Sequence, residues 1–209
     1  MKVKVCGMMD AGNVSKISET LPDYMGFIFY DGSKRFVGNE PSGKIFLNVP
    51  ERTEKVAVFV NETPERVIRI AERYGIGTVQ LHGNETPLFC SIIRSSGLRI
   101  IKAFGIDHGF NFNLLGPYLE ACDYFLFDMK SERHGGSGLK FDWTLLERYD
   151  HDKKFFLSGG IGSDDADRIR SFRHKQLLGV DINSRFEISP GIKDPVIVRD
   201  FINKIKDFQ

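Results

Sequence analysis

The sequence predicts an α/β fold, a single-domain (β/α)8 (TIM) barrel over residues 1–209. Three observations predict it. Short β-forming runs alternate with 3.6-periodic segments about eight times along the chain. The runs are rich in Val, Ile and Phe, as parallel strands buried on both faces are. The chain has 209 residues, so eight units take roughly 26 residues each, near the lower size limit of about 200 residues for such barrels. A doubly wound open sheet is the competing arrangement. It usually needs fewer strands at this length, and no G-x-G-x-x-G follows the first strand. No Gly/Ser-rich linker or low-complexity segment divides the chain.

The elements follow in order. Val3 to Cys6 reads as the first strand, broken by Gly7 and followed by a helix near Ala11 to Glu19. Tyr24 to Tyr30 is the second strand, with a short helix within Glu40 to Asn48. Lys55 to Val60 is the third. Thr63-Pro64 then opens a helix, Thr as N-cap and Pro at the first helical position. Val67, Ile70, Ala71 and Tyr74 form its apolar stripe, and Gly75 and Gly77 stop it. Thr78 to Leu81 and Pro87 to Ser95 make the fourth unit. Arg99 to Phe104 is the fifth strand, with a weaker helical stretch around Asn113 to Glu120. Tyr124 to Phe127 is the sixth. The polar segment Met129 to Leu139 reads as a long mobile loop, and Trp143 to Tyr149 as helix. Lys154 to Leu157 and Ser163 to Phe172 make the seventh unit, with Ser163 as cap. Leu178 to Ile182 is the last strand, and Asp194 to Phe208 the last helix, with Val198, Phe201, Ile202 and Ile205 on one face.

Apolar residues make up 41% and charged residues 27% of the chain, and 18 Phe can fill a sizeable core. Extended disorder, collagen-like repeats and a disulfide-stapled mini-protein are excluded. Lys plus Arg is 29 and Asp plus Glu 28, a net charge of +1, which gives no global attraction to nucleic acid or to an anionic membrane. No run approaches the roughly 18–20 apolar residues of a membrane span, and no secretory signal is read. Cys6, Cys90 and Cys122 form no C-x-x-C pair, so a reducing, cytoplasmic setting is expected. The five histidines show no H-x-x-x-H or H-x-H spacing, and no metal is expected.

In a (β/α)8 barrel the chemistry lies at the C-terminal ends of the strands. The polar residues there are Cys6, Arg35, Asn61, His82, Lys102, Asp128, Ser158-Gly159-Gly160 and Asp181. Ser158 to Ser163, SGGIGS, runs into a helix; glycines let backbone N–H groups approach an anion. Barrels commonly bind phosphate on the loops after strands seven and eight, so this loop and Asp181 to Gly191, with Asn183 and Ser184 as donors, form a candidate phosphate site. Simple chain reversal would also use both glycines.

Cys6 is either a small buried hydrophobe or a base, and a base needs a nearby cation or helix end. Cys90 and Cys122 read as core. Asp128 is a catalytic acid if burial raises its pKa, or else a cap or a partner of Lys130. Asp181, beside the phosphate loops, suits orienting a donor or a water better than binding the anion. Arg35 is a fork for a carboxylate or a solvated charge. His82 either orients substrate or closes a strand end. Lys102 is a Schiff-base lysine or, more commonly at a strand end, the partner of a carboxylate.

Taken together, KVCGM (Lys4 to Met8), GFIFYDGSKR (Gly26 to Arg35), VAVFVN (Val56 to Asn61), QLHGNE (Gln80 to Glu85), FDMK…GGSGLKFDW (Phe127 to Trp143), LSGGI (Leu157 to Ile161), GVDINS (Gly179 to Ser184) and PGIKD (Pro190 to Asp194) make a pattern. In this order, and over essentially the whole chain, it resembles the phosphoribosylanthranilate isomerase family. The resemblance implies a cofactor-free barrel. Its reaction is an Amadori rearrangement of N-(5-phosphoribosyl)anthranilate to 1-(2-carboxyphenylamino)-1-deoxyribulose 5-phosphate, in tryptophan biosynthesis. It implies Cys6 as general base, Asp128 as general acid and Arg35 at the anthranilate carboxylate. Phosphate falls on Gly159-Gly160 and on Asp181 to Ser184, and the segment Lys130 to Lys140 is able to close over the site. The expected partner is this phosphorylated small molecule, with the protein a monomer or homodimer.

Three positions depart from the pattern. Arg185 stands where many relatives have glycine, either straining the loop or adding a cation near the phosphate. Ser137 replaces a frequent Thr, and Gly38 to Asn48 matches loosely. Other readings are indole-glycerol-phosphate synthase, which would make Lys102 central, the histidine-pathway sugar isomerase, which would want a carboxylate in place of Cys6, and an inert barrel that binds a phosphorylated regulator.

Overall fold

The computed structural model describes residues 1–129 and 142–206. Its eight parallel strands are β1 (Lys2–Cys6), β2 (Tyr24–Ile28), β3 (Glu54–Phe59), β4 (Thr78–Leu81), β5 (Arg99–Ile106), β6 (Tyr124–Met129), β7 (Phe155–Leu157) and β8 (Leu177–Ile182). They pair in chain order, and β8 returns to β1 with Lys4 opposite Asp181, so the sheet is a closed barrel. Closure leaves no strand edge unpaired.

The helices around it are α1 (Ala11–Ser18), α2 (Lys44–Leu47), α3 (Pro64–Tyr74), α4 (Pro87–Ser95), α5 (Ala166–Ser171) and α6 (Pro195–Lys206). Local chemistry sets their starts. The side chains of Asp10, Thr63 and Thr86 accept the N–H groups of Asn13, Arg66 and Phe89 at the mouths of α1, α3 and α4. Such a cap is worth about 1 kcal/mol. Gly75 ends α3 at φ +59°, a left-handed conformation that favours glycine. Val67, Ile70 and Ala71 of α3 are buried, as their spacing predicts.

Several elements differ from the sequence reading. The stretch around Asn113 to Glu120 is a 3-10 turn, Phe112–Tyr118, with Pro117 inside it. Proline there removes a backbone donor and prevents a regular α-helix. Trp143–Arg148 is also 3-10, capped by Asp142. The seventh helix is split into a 3-10 turn (Ser163–Asp165) and α5. Its cap is Gly162 rather than Ser163, and the Gly162 N–H donates to Asp165 Oδ2 at 2.9 Å. After β8 comes an unforeseen antiparallel hairpin, β9 (Glu187–Ser189) and β10 (Ile192–Lys193), turned through Pro190 and Gly191 (φ +85°). The segment Lys130 to Lys140, Ser137 and the end of the last helix lie outside the described residues.

Alternation along the strands divides the interior in two. Cys6, Tyr24, Val56, Val58, Ile101, Ala103, Leu126 and Phe156 pack together inside the barrel. Val5, Phe27, Phe59, Ile100, Phe125, Phe127 and Phe155 face outward into the larger core beneath the helices. Cys90 and Cys122 are buried in that outer layer, their thiols hydrogen-bonded to each other, so both are core as expected.

Candidate active site

At the C-terminal end of β1, Cys6 is 4% exposed and faces the barrel interior. Its pair on β2 is Gly26, where a Cβ would lie 2.7 Å from the Cys6 sulfur. Glycine there leaves room for the thiol. Two residues back on the same face is Lys4, fully buried, whose Nζ donates to Asp181 Oδ1 at 2.8 Å. The charge of the Lys4 ammonium also favours the Cys6 thiolate, so the thiol's cationic neighbour comes from its own strand. Burial pushes the Cys6 thiol above its usual range; Lys4 opposes this and Asp181 adds to it. Burial alone would lower the Lys4 pKa, but Asp181 and Cys6 outweigh it, so Lys4 stays charged.

Asp128 faces inward near the end of β6. Its side chain is 31% exposed at the mouth, yet desolvation by the surrounding wall dominates and raises its pKa to about 6. The Met129 N–H, donating to Oδ1 at 2.8 Å, pulls the value down; Asp181 pushes it up and Lys4 lowers it. Across from it, His82 Nε2 stands 3.7 Å from Asp128 Oδ2. Gln80 Nε2 donates to His82 Nδ1 at 2.8 Å, which sets the ring's proton on Nε2, toward Asp128.

Lys102 is not part of this interior. It lies between the inward residues Ile101 and Ala103 and so points outward. Its Nζ contacts Glu85 at 3.1 Å and donates to the carbonyls of Leu81, Gly83 and Ala103. Glu85 in turn accepts the N–H groups of Asn61 and Gly83. The lysine thus pairs with a carboxylate and ties the loops after β3 and β4 to strand β5, which fixes the base of the His82 loop.

Arg35, beyond β2, does not present an empty fork. Its Nε and Nη2 donate to Glu187 Oε1 and Oε2 at 2.7 and 2.6 Å. Lys193 Nζ reaches Glu187 Oε1 and Asn183 Oδ1, each at 2.6 Å. Burial would raise the Glu187 pKa, but Arg35 and Lys193 outweigh it and hold the carboxyl below its usual range. Burial lowers the pKa of Lys193.

The two glycines after β7 have the conformation only glycine takes easily, Gly159 at φ +92° and Gly160 at φ +66°. A Cβ on Gly159 would sit 2.8 Å from Asp128 Oδ1, so this glycine also makes room for that carboxyl group. Across the cleft, Asn183 is engaged by Lys193, while Ser184 is exposed in a 3-10 turn, Ser184–Phe186. Arg185 does not have a positive φ, so the feared strain is absent. Its guanidinium bridges the two loops, Nη1 donating to Gly160 O at 3.3 Å. Asp181 is turned inward onto Lys4.

Cys6, His82, Asp128, Asp181 and the glycine loop therefore converge on one mouth, with Arg35, Asn183 and Ser184 on the β2 and β8 side. Sequence reasoning missed Lys4, Gln80, Glu187 and Lys193. Lys4 and Gln80 carried a signal, each a polar residue two positions before a candidate, Cys6 or His82, in an apolar strand and hence on the same face. Among the described residues, no group of His, Cys, Asp and Glu is arranged to hold a metal.

Residues 3–204 match the model of the N-(5′-phosphoribosyl)anthranilate (PRA) isomerase family. The N-(5′-phosphoribosyl)anthranilate isomerase of Parabacteroides distasonis is 42% identical over 206 residues, covering 98% of this chain and 93% of that protein. That of Phocaeicola vulgatus is 39% identical over 206 residues, covering 99% and 98%. Among solved structures, the Thermotoga maritima phosphoribosyl anthranilate isomerase superposes with a TM-score of 0.87 at 32% identity, over all of both chains. A phosphoribosyl anthranilate isomerase in complex with reduced 1-(o-carboxyphenylamino)-1-deoxyribulose 5-phosphate gives 0.86 at 30% identity, again over both whole chains.

Proposed function

This chain belongs to the N-(5′-phosphoribosyl)anthranilate isomerase family, an enzyme of tryptophan biosynthesis, and on that premise we propose how its own residues carry the reaction. Asp128, protonated, gives its proton to the furanose ring oxygen. The C1′–O bond breaks as the anthranilate nitrogen lone pair forms the Schiff base. Cys6, as thiolate, takes the C2′ proton, and the electron pair moves to the nitrogen as an enolamine. Ketonisation returns a proton to C1′ and releases one from the C2′ hydroxyl. The aldose is converted to a ketose within one molecule, so no external oxidant or reductant is needed.

The observation that carries this reading is the facing of a buried thiol on β1 and a carboxyl raised to about 6 on β6, both at one end of one barrel. An acid and a base on opposite sides of the mouth can work on two sides of one sugar. Lys4 supports the thiolate, and His82 stands beside the acid. The glycine pair with Ser184 and Arg185 suits the 5′-phosphate, and Arg35 suits the anthranilate carboxylate. Three free, buried cysteines suit a reducing cytoplasmic setting.

The test is a fluorescence assay. Phosphoribosylanthranilate is generated in situ from anthranilate and phosphoribosyl pyrophosphate, and its loss is followed with catalytic amounts of protein. Wild type should consume it, while Cys6→Ala and Asp128→Asn, each folded by circular dichroism, should fall about 10²–10⁴-fold in kcat/KM. Near-wild-type rates in either variant would remove that residue from the mechanism.

A further inference from the structure

Arg35 has five N–H groups in one plane and two edges that can meet a carboxylate. Glu187 takes the Nε–Nη2 edge. That leaves the end-on Nη1–Nη2 edge for a second planar anion. Glu187 is itself held tightly: its side chain is 5% exposed, and its two oxygens receive N–H groups from Arg35, from Lys193 and, at 3.0 Å, from Gly191. Lys193 is anchored from behind, for its backbone N–H and carbonyl are both bonded to the buried Asn13 of α1.

This cluster has one carboxylate for two cations, Arg35 and Lys193, so one positive charge is uncompensated within it. It also borders the base. A Cβ on Gly7, the residue after Cys6, would lie 2.5 Å from Arg35 Cδ and 2.8 Å from Asn183 Oδ1. The arginine stem therefore rests on the backbone that carries Cys6, with no room for the stem and a larger residue together.

We propose that Glu187 is a positioning residue. By occupying one edge of Arg35 it fixes the direction of the other, and so gives the site its preference for a substrate whose aromatic ring bears a carboxylate. The inference rests on the reading of Arg35 as the carboxylate anchor. Without Glu187 the guanidinium would swing on a flexible stem and face a second, unpaired buried cation, Lys193. The carboxylate contact would weaken, while the glycine pair after β7, which Glu187 does not touch, would still hold the phosphate.

The experiment compares two non-reacting ligands, 1-(2-carboxyphenylamino)-1-deoxyribitol 5-phosphate and its analogue lacking the carboxylate. Their Kd values are measured by calorimetry on wild type, Glu187→Gln and Glu187→Asp. Wild type should bind the carboxylated ligand at least tenfold more tightly. Both variants should lose most of that ratio by weakening the carboxylated ligand alone, with the other ligand within about twofold. In an Arg35→Ala background, Glu187→Asp should change neither affinity further. If wild type does not discriminate, the anchor reading of Arg35 falls. If wild type discriminates and either folded variant keeps the same ratio, Arg35 stands and the role of Glu187 is overturned. Should Glu187→Gln fail to fold, Glu187→Asp, which keeps the charge and withdraws it by one methylene, decides alone.

Discussion

At the scale of single residues, the proposed acid and base have pKa values in the reverse of the order that would make both ready at neutral pH. Asp128 titrates at about 6, and Cys6 lies above the ordinary thiol range. Between those values most molecules hold a carboxylate and a thiol, whereas the proposed steps need a carboxylic acid and a thiolate. The active form is a minor one whose fraction is flat between the two pKa values and falls outside them. Below about pH 6 the thiolate fraction drops tenfold per unit while Asp128 is already protonated. Above the Cys6 pKa the thiolate is saturated and protonated Asp128 keeps falling. Wild-type kcat/KM should thus rise to about pH 6, stay level, and decline only above the raised Cys6 pKa. The single variants separate the limbs. Residual activity in Asp128→Asn should rise with pH well beyond 6, because only thiolate formation is left. Residual activity in Cys6→Ala should fall above about pH 6, because only the acid is left. Measured with the fluorescence assay, a residual profile of Asp128→Asn that levels off near pH 6 would refute this assignment.

At the scale of elements, the pair beside the proposed base also closes the barrel. Lys4 of β1 and Asp181 of β8 meet at 2.8 Å across the seam where the first strand joins the last, both almost wholly buried. Removing one partner of a buried pair leaves a bare charge and costs about 3–5 kcal/mol, whereas replacing both with packed apolar groups is often neutral. Lys4→Met should therefore lower stability by about that amount in urea titration, and Lys4→Met with Asp181→Leu should recover most of it while remaining inactive. A loss under about 1 kcal/mol in the single variant would mean that water or Cys6 compensates Asp181. This seam also shows what a chain read in order conceals. The strands were legible because burial on both faces leaves continuous Val, Ile and Phe runs, and β4 and α4 match their expected limits residue for residue. Cys6, Asp128 and the glycine loop were legible because each ends such a run. Lys4 and Asp181 lie 177 positions apart, and Arg35 and Glu187 152 apart, so their pairing exists only once the barrel has closed. The hairpin β9–β10 went unread because its strands of three and two residues are too short for any alternation to register.

At the scale of the whole molecule, the last helix holds the side of the mouth proposed to bind phosphate in place from outside the barrel. α6 packs on α1, on α5 and on the 3-10 turn that follows the glycine loop. Its Phe201 ring meets Phe186 at 4.9 Å and 67°, and Phe186 belongs to the same turn as Ser184 and Arg185. Both rings are buried, at 1% and 0% exposure. α6 therefore couples global stability to the geometry of both loops proposed to bind phosphate, to the one after β8 through this aromatic contact. Phe201→Ala removes a buried ring and should cost about 3–5 kcal/mol, lowering Tm by roughly 6–20 °C for a chain of this size. The same change should raise KM through loosened loops while leaving the pH limbs of kcat/KM where they were, since Cys6, Lys4 and Asp128 stand on β1 and β6. Thermal unfolding followed by circular dichroism gives the first quantity, and the fluorescence assay at a temperature where the variant is fully folded gives the second. A variant that loses stability with an unchanged KM would show that the loops are held by the barrel alone. A shift in the pH limbs would show instead that the catalytic pair senses α6, contrary to the division of labour between strands and outer helices argued here.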